Sequence, residues 1–375
     1  MSGHHHTYAS QVDFSSDQNQ EDTPVTEFLQ TPDRYMELDF FGDDLRFDDG
    51  AEFEIWSFET DAQRGQFPSP VIRVTEGEIF QARVEPSKGP HTIHWHGMEP
   101  DPRNDGVGHT SFEIDGNYTY QWQPEPGEPG DVNCGAAGTY FYHCHVNTVL
   151  HAQMGMVGAL VIDPVQHPQY PVSPGLTRRA YVDGPEYDID TETLLMAYSV
   201  DPRWHQMNHA AGLSGEDVGL NRFEPKHFYL LGGELARRPN RRGSVWSLSS
   251  LRANVAGGTY PNGKPKAKTL LRVLNANYQP MTLRFYDASG ARVRMAEIVS
   301  HDGRPFRDTS SPTGPAKPLF GVGQLQTDIL AFGGAERFDV LLDPPRPGTY
   351  TLEVDWEDWI TKELLGRRRI PIVAG

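Results

Sequence analysis

The sequence has little cysteine, no long hydrophobic run and no surplus of positive charge. Only two of its 375 residues are cysteine, Cys134 and Cys144, which excludes a disulfide-rich scaffold. No apolar run reaches the roughly 18 residues that a membrane-spanning helix needs, so we expect no membrane span. The 51 acidic residues outnumber the 33 basic ones and give a net charge of −18, which disfavours nucleic acid and anionic membranes as partners.

The N-terminus also lacks the features of an export signal. The segment that follows Met1 has no apolar region and no twin arginine. If Met1 is the native start, we therefore expect a cytoplasmic protein, and otherwise an exported chain in its mature form. Residues 1–45 are polar and acidic, and they predict a flexible tail leading into an arm that packs on the body.

Frequent turn-forming residues indicate an all-β fold with two domains. Glycine (37) and proline (30) interrupt strand-like runs such as Gly138–Asp163, and long amphipathic helical patterns are rare. A chain of 375 residues is long enough to form two hydrophobic cores. We predict a first domain over residues 46–166, which carries the chemistry described below, and a second over residues 167–375, with a proline-rich linker around residues 164–176.

An internal repeat relates the two predicted domains. Pro90–His96 matches Pro280–Tyr286, and Gly138–His145 matches Gly348–Asp355. The turn and strand framework repeats, but the chemistry-bearing residues do not. His91, His94 and His96 correspond to Met281, Arg284 and Tyr286, while His143, Cys144 and His145 correspond to Glu353, Val354 and Asp355.

Three short segments of the first domain carry a candidate metal site. They are His91-x-x-His94-x-His96, His143-Cys144-His145 and His151-x4-Met156. Successive side chains of a strand point to opposite faces, so His94 and His96 share a face with His143 and His145. By the same parity His91 and Cys144 point to the other face, the inside of a sandwich.

The inner side chains form the ligand set of a blue electron-transfer copper. His91, Cys144, His151 and Met156 supply two imidazoles, a thiolate and a thioether, in which the methionine helps to set the potential. We call these four residues the inner set. The four outer histidines suit one or more further coppers, and Cys144 gives electrons a short covalent route to its neighbours His143 and His145.

These segments resemble the multicopper oxidase family over about residues 50–365. His91–Gly97, Tyr142–His151 and Met156 carry the resemblance in the first domain, and Arg272–Asn275, Ser300–Gly303 and Glu336–Val340 carry it in the second. The resemblance implies two cupredoxin-like Greek-key β-sandwich domains. It also implies type 1 copper at His91, Cys144, His151 and Met156, type 2 copper at His94, and type 3 copper at His96, His143 and His145.

The family oxidises small molecules or metal ions one electron at a time at type 1 copper and reduces dioxygen at a trinuclear cluster. That cluster takes eight histidines, and this chain supplies four. We therefore expect a homo-oligomer, or a partner chain, that contributes further histidines across an interface. On this interpretation Cys144, His143 and His145 are the residues that carry electrons to the site of catalysis.

Two alternatives stay open at this point. The chain could be a blue copper electron-transfer or copper-binding protein without a complete cluster. It could also be a nitrite-reductase-like enzyme, as the long spacing from Cys144 to His151 suggests, although that class needs a carboxylate where His94 stands. We interpret Cys134 as a free thiol and the remaining histidines of the body as loop or surface residues: His109, His167, His205, His209, His227 and His301.

Overall fold

The computed structural model describes residues 30–84, 91–98, 100–107, 118–212, 217–239, 242–311 and 314–375. Most of the predicted tail, residues 1–29, and His109 lie outside the described residues. Strands dominate the described chain, which confirms the all-β prediction. Within the described residues, none of the helices has the length and apolar character needed to cross a membrane.

The N-terminal half contains nine strands and two short helices among the described residues. They are β1 (Arg34–Arg46), β2 (Glu52–Glu59), β3 (Gln66–Phe67), β4 (Ile72–Thr75), β5 (Phe80–Val84), β6 (His94–His96), α1 (Pro102–Asp105), β7 (Tyr118–Trp122), β8 (Gly138–His143), α2 (Thr148–Met154) and β9 (Val157–Asp163).

The remaining described chain contains seventeen strands and two short 3-10 turns, at Trp204–Gln206 and Leu235–Arg237. The strands are β10 (Thr177–Arg179), β11 (Glu186–Asp188), β12 (Thr193–Val200), β13 (His227–Glu234), β14 (Ser244–Val245), β15 (Leu251–Ala253), β16 (Thr269–Asn275), β17 (Met281–Tyr286), β18 (Ala296–His301), β19 (Arg304–Pro305), β20 (Arg307–Asp308), β21 (Lys317–Pro318), β22 (Gln326–Thr327), β23 (Ile329–Phe332), β24 (Arg337–Leu342), β25 (Gly348–Glu357) and β26 (Leu364–Ala374).

Two sheets of the N-terminal half form the first sandwich. One sheet has the order β2-β1-β5-β7 and the other the order β4-β9-β8-β6. Their inner faces bury an aromatic core that includes Phe80, Trp95, Tyr120 and Tyr142. Trp95 and Tyr142 are cross-strand partners on β6 and β8, so the core lies directly behind the histidine-bearing strands.

The second sandwich repeats the strand order and direction of the first. Its sheets have the orders β13-β12-β16-β24-β18-β19, with β22 also on β18, and β15-β26-β25-β17-β23. The pairs β1–β5 and β4–β9 are parallel, as are their counterparts β12–β16 and β15–β26. The repeat found in the sequence is therefore a repeat of architecture as well.

The register of the repeated strand pair is also the same. His94 faces His143 across β6 and β8, and the corresponding Arg284 faces Glu353 across β17 and β25. Both registers follow from alternation that buries the intervening side chains, Trp95 in the first sandwich and Phe285 in the second. Side chains at corresponding positions therefore lie on corresponding faces.

A buried ionic network joins the two sandwiches. The Arg272 guanidinium donates to Glu192 at 2.7 Å, to Asp339 at 3.2 Å and to the Thr139 hydroxyl of the first sandwich at 2.9 Å. Arg73 of the first sandwich donates to the same Glu192 at 2.8 Å. Burial alone would raise the pKa of Glu192, but Arg272 and Arg73 lower it to about 2.

The end of the predicted tail and arm, which was expected to pack on the body, forms strand β1. Strand β1 pairs with β2 and, in parallel, with β5, so its hydrogen bonds are part of the first sandwich. The polar alternation of β1 concealed this strand, because only Leu38 and Leu45 are fully buried along it. We accordingly propose residues 34–166 and 167–375 as the two domains.

Candidate metal centre

The inner set converges in the core of the first sandwich. The Cys144 Sγ atom lies 3.5 Å from Nδ1 of His91 and 3.3 Å from Nδ1 of His151. All four side chains of the inner set, Met156 included, are at most 3% exposed. The fold thus brings Cys144 and His91 together, as strand parity predicted, and the segment that follows β8 adds His151.

Local structure after β8 places the second imidazole of the inner set. Asn147 takes a left-handed conformation and starts α2, in which His151 is buried. Gly155 then ends the helix with φ of +114°, a conformation that favours glycine. The chain returns so that the Met156 carbonyl accepts from the Cys144 amide at 3.2 Å, which ties the two ends of the loop together.

Aromatic rings enclose the inner set. Phe40 of β1 stacks on His91 with ring centroids 4.4 Å apart, and Trp56 meets His151 edge to face at 5.6 Å. Burial and the neighbouring imidazoles lower the pKa of His91 to about 2 and that of His151 to about 4. Both rings are therefore neutral at ordinary pH and have lone pairs available for a metal.

The outer histidines gather on the opposite side of the same strands. We call His94, His96, His143 and His145 the histidine face. Nitrogen atoms of the first three lie within 4.8 Å of one another, and the His145 ring centroid is 5.4 Å from that of His94. The four predicted outer positions are therefore brought together in one cluster.

Backbone carbonyls orient two of these rings. Nδ1 of His94 lies 2.9 Å from the carbonyl oxygen of Asp105, and Nδ1 of His143 lies 2.8 Å from that of Cys144. A ring whose Nδ1–H donates to a carbonyl presents its Nε2 lone pair outward, which is the usual support of a metal-bound histidine. The geometry thus turns Nε2 of His94 away from its carbonyl partner, while Nε2 of His143 lies 3.4 Å from Nδ1 of His96.

Burial keeps two rings of the histidine face uncharged. It lowers the pKa of His143 to about 3 and that of His96 to about 2, and the neighbouring imidazoles and Arg337 add to the shift of His96. Arg337 belongs to the second sandwich, and its guanidinium lies over the Phe141 ring on which His96 stacks. His96 and His143 are therefore neutral imidazole donors.

The corresponding surface of the second sandwich has a different chemistry. We call Arg284, Tyr286, Glu353 and Asp355 the ion-pair face. Asp355 accepts from Arg367 at 2.7 Å and from Arg284 at 2.5 Å, and Glu353 accepts from Arg369 at 2.7 Å. Its carboxylates are engaged by guanidinium groups rather than held open for a cation.

Of the histidines interpreted from sequence as loop or surface residues, His205 is buried, and His209 is a turn residue that reaches the inner set. His205 is buried, with one ring nitrogen 2.7 Å from the Glu54 carbonyl and the other 3.2 Å from the Gln153 amide nitrogen. The His209 ring lies 4.8 Å from His91 and 4.4 Å from His151, measured between centroids. Sequence spacing gave no signal for His209, because it reaches the inner set from the second sandwich.

The remaining cysteine lies away from both histidine clusters. Cys134 and Cys144 are not joined by a disulfide. Burial raises the pKa of the Cys134 thiol to about 11, although Arg307 opposes the shift. Cys134 is therefore a protonated thiol in the core, as the sequence interpretation expected.

A cleft beside the inner set gives access from the surface. It has a volume of about 370 Å³, and its lining includes Phe40, Trp56, His91, Met156 and His209. The inner set combines a thiol with two neutral imidazoles at short distances, a donor combination that fits copper. The arrangement can hold one redox metal in the core next to an imidazole cluster on the surface.

Comparison with known proteins agrees with this chemistry. Residues 47–167 match the family described as multicopper oxidase. The chain is 36% identical to copper resistance protein A of Pseudomonas syringae pv. tomato over 106 residues, which is 27% of this chain and 15% of that protein. It is 30% identical to L-ascorbate oxidase of Cucumis sativus over 166 residues, 42% of this chain and 22% of that protein.

A solved structure extends the similarity to most of the chain. The blue copper oxidase of Nitrosomonas europaea superposes with a TM-score of 0.56 at 20% identity, covering 91% of this chain and 86% of that one. This likeness confirms the cupredoxin-like fold. The chain spans less than a quarter of the length of the two curated relatives named above.

Proposed function

We propose that the chain is an oxygen-reducing copper oxidoreductase of the multicopper oxidase family, the family that residues 47–167 match. In this proposal an electron donor is oxidised one electron at a time at the inner set, and dioxygen is reduced at copper held by the histidine face. The observation that supports it most is the position of Cys144, which contributes to the inner set and is bonded to His143 and His145 of the histidine face.

The protein's own residues have distinct tasks in this proposal. Copper, when bound, supplies one-electron redox chemistry at both sites. His91, Cys144, His151 and Met156 would hold it as a type 1 centre, and the surrounding aromatic rings would keep bulk water from the thiolate. The cleft beside His91 admits the donor, a small organic molecule or a metal ion.

The histidine face needs a second half. His94 would serve type 2 copper, and His96, His143 and His145 would serve type 3 copper. Because the ion-pair face offers no imidazoles, a head-to-tail contact between copies would not complete the cluster. We propose that a two-fold contact between two first sandwiches, or a partner chain, supplies the other histidines.

Oxygen uptake by the copper-loaded protein tests this function. We expect uptake that depends on a phenolic or metal-ion donor, an oligomer by native mass, and about 2.5 coppers per chain, since two subunits would share one three-copper cluster. His94→Ala should abolish the uptake while the visible copper–thiolate band of the inner set persists. A monomer with the thiolate band but no oxygen uptake would contradict the proposal.

The ion-pair face favours a second candidate, an electron-transfer or copper-binding protein. If nothing completes the histidine face, the inner set alone would cycle between oxidation states. The same experiment separates the two functions, because this candidate predicts one copper per chain and no oxygen uptake with any donor. It also predicts that His94→Ala leaves the rate of electron transfer to an acceptor protein unchanged.

A further inference from the structure

The second sandwich places one histidine against the inner set. Nitrogen atoms of His91, His151 and His209 all lie within 4.8 Å of one another. His209 also lines the cleft beside Met156. Three imidazoles, rather than the two of the inner set, therefore meet, and two of them contact the Cys144 thiol.

A nitrogen atom of His209 has no protein partner. Its Nε2 atom is fully buried, and within the part of the chain that the structure describes it meets no hydrogen-bond donor or acceptor. Leaving a buried polar atom unsatisfied costs about 1–3 kcal/mol, so such an atom requires an explanation. A metal ion held by the neighbouring donors would satisfy it.

The segment that carries His209, residues 204–211, is held against the first sandwich by packing and a hydrogen bond. Trp204 is buried in a small core with Leu150 and Met154 of α2, the helix that carries His151. The Asn147 side-chain amide donates to the Ala211 carbonyl at 2.9 Å, which holds the far end of the segment. His209 is therefore positioned before any ligand binds, as a preorganised donor must be.

The backbone of His209 orients its neighbour. Nε2 of His151 lies 3.3 Å from the His209 carbonyl oxygen, while Nδ1 of His151 faces the Cys144 thiol. An Nε2–H that donates to a carbonyl fixes the tautomer in which Nδ1 can bind a metal. The second sandwich thus supports the inner set through its main chain as well.

We propose that His209 is a further ligand of the copper held by His91, Cys144 and His151. This inference rests on the proposed copper centre and adds to it. The second sandwich, whose ion-pair face has no histidine, would then contribute one imidazole to the metal of the first. With copper bound, a third imidazole donor would favour the copper(II) state over copper(I).

Replacement of the side chain, with the backbone carbonyl kept, tests the proposal. In copper-loaded His209→Ala we expect the thiolate band to move to longer wavelength, the reduction potential to rise, and copper affinity to fall roughly tenfold or more. Added imidazole should restore the spectrum of the unmodified protein. His167→Ala, which removes a histidine outside the cleft, serves as the matched control and should change none of these quantities.

Counting imidazoles in the unmodified protein gives an answer that does not depend on how the variant folds. Pulsed EPR of copper-loaded protein labelled with 15N-histidine should show three nitrogens coupled directly to the thiolate-bound copper, and two in His209→Ala. Two in both proteins, with identical spectra, would overturn the inference and leave the copper centre intact. Loss of the thiolate band is expected only in Cys144→Ser, and its absence from the unmodified protein would overturn the copper centre itself.

Discussion

The histidine face and the ion-pair face occupy the same place in two copies of one sandwich. His94 pairs with His143 in the first, and Arg284 pairs with Glu353 in the second, in an identical register. The first face gathers imidazoles, two of which, those of His96 and His143, burial keeps neutral. The second engages each carboxylate with guanidinium groups.

The difference shows that the strand framework sets where side chains meet but not what they do there. A buried core residue between the two outward positions, Trp95 or Phe285, is enough to fix the register in either copy. The ion-pair face satisfies its own charges, whereas the histidine face presents a cluster of imidazoles of the kind that bind metals. The ion-pair face contributes to folding stability, and the histidine face is available for binding.

Removal of the Cys144 thiol should have the largest effect on metal binding in the first sandwich. We expect Cys144→Ser to lose the visible copper–thiolate band entirely, because a hydroxyl does not replace thiolate as a donor to copper. Absorption spectra of the copper-loaded variant measure this. Cys134→Ser, which changes the other buried cysteine, should keep the band. A band that survives in Cys144→Ser would refute the type 1 assignment.

Loss of the buried ionic network that joins the two sandwiches should have the next largest effect, a loss of folding stability. Arg272→Met leaves the buried Asp339 without its guanidinium partner and Glu192 with Arg73 but not Arg272, so we expect the free energy of unfolding to fall by about 3–5 kcal/mol. Denaturant unfolding of the metal-free protein measures it. Arg178, which lies 3.9 Å from Glu192 but is 43% exposed, provides the control. Arg178→Met should cost less than about 1 kcal/mol, and equal losses would contradict the account.

Substitution by asparagine at corresponding positions, Asp355 and His145, compares the contributions of the two faces to stability and to copper binding. Asp355→Asn removes the charge that holds Arg284 and Arg367, so we expect a loss of about 1–3 kcal/mol in unfolding free energy and no change in copper content. His145→Asn should cost less than about 1 kcal/mol in the metal-free protein and reduce copper binding at the histidine face. The reverse pattern would mean that the two faces have been assigned the wrong roles.

Acid should destabilise Asp355→Asn less than the unmodified protein, and this is the smallest of the expected effects. Burial would raise the pKa of Asp355, but Arg367 and Arg284 bring it below the usual value. A lowered folded-state pKa gives stability that is complete above the unfolded value of about 3.9 and is lost as pH falls. Unfolding free energies between about pH 6 and pH 3 should therefore depend less on pH in Asp355→Asn than in the unmodified protein. An unchanged dependence would contradict this.

Much of the candidate site could be predicted from the sequence, because it depends on local alternation. The positions of His94, His96 and His143 follow from strand parity, and the placement of Cys144 opposite them follows from the same rule. The fold class follows from turn residues and the repeat. These features need only short stretches of chain.

The contribution of distant segments could not be predicted. His209 reaches the inner set because Trp204 packs on α2, a contact between residues fifty or more positions apart. The sequence predicted an arm packed on the body in the region of β1 but not that the arm is a strand, because the evidence for the strand is its pairing with β2 and β5. Both features are set by tertiary packing, for which a single sequence gives no periodic signal.

Locating the metal tests the central claim most directly. Crystals grown with copper and measured at the copper absorption edge would show by anomalous scattering where the ions lie. We predict one peak beside Cys144, within bonding distance of His91 and His151, and further density at the histidine face. The ion-pair face should have none. A peak between Glu353 and Asp355, or the lack of one beside Cys144, would contradict the account.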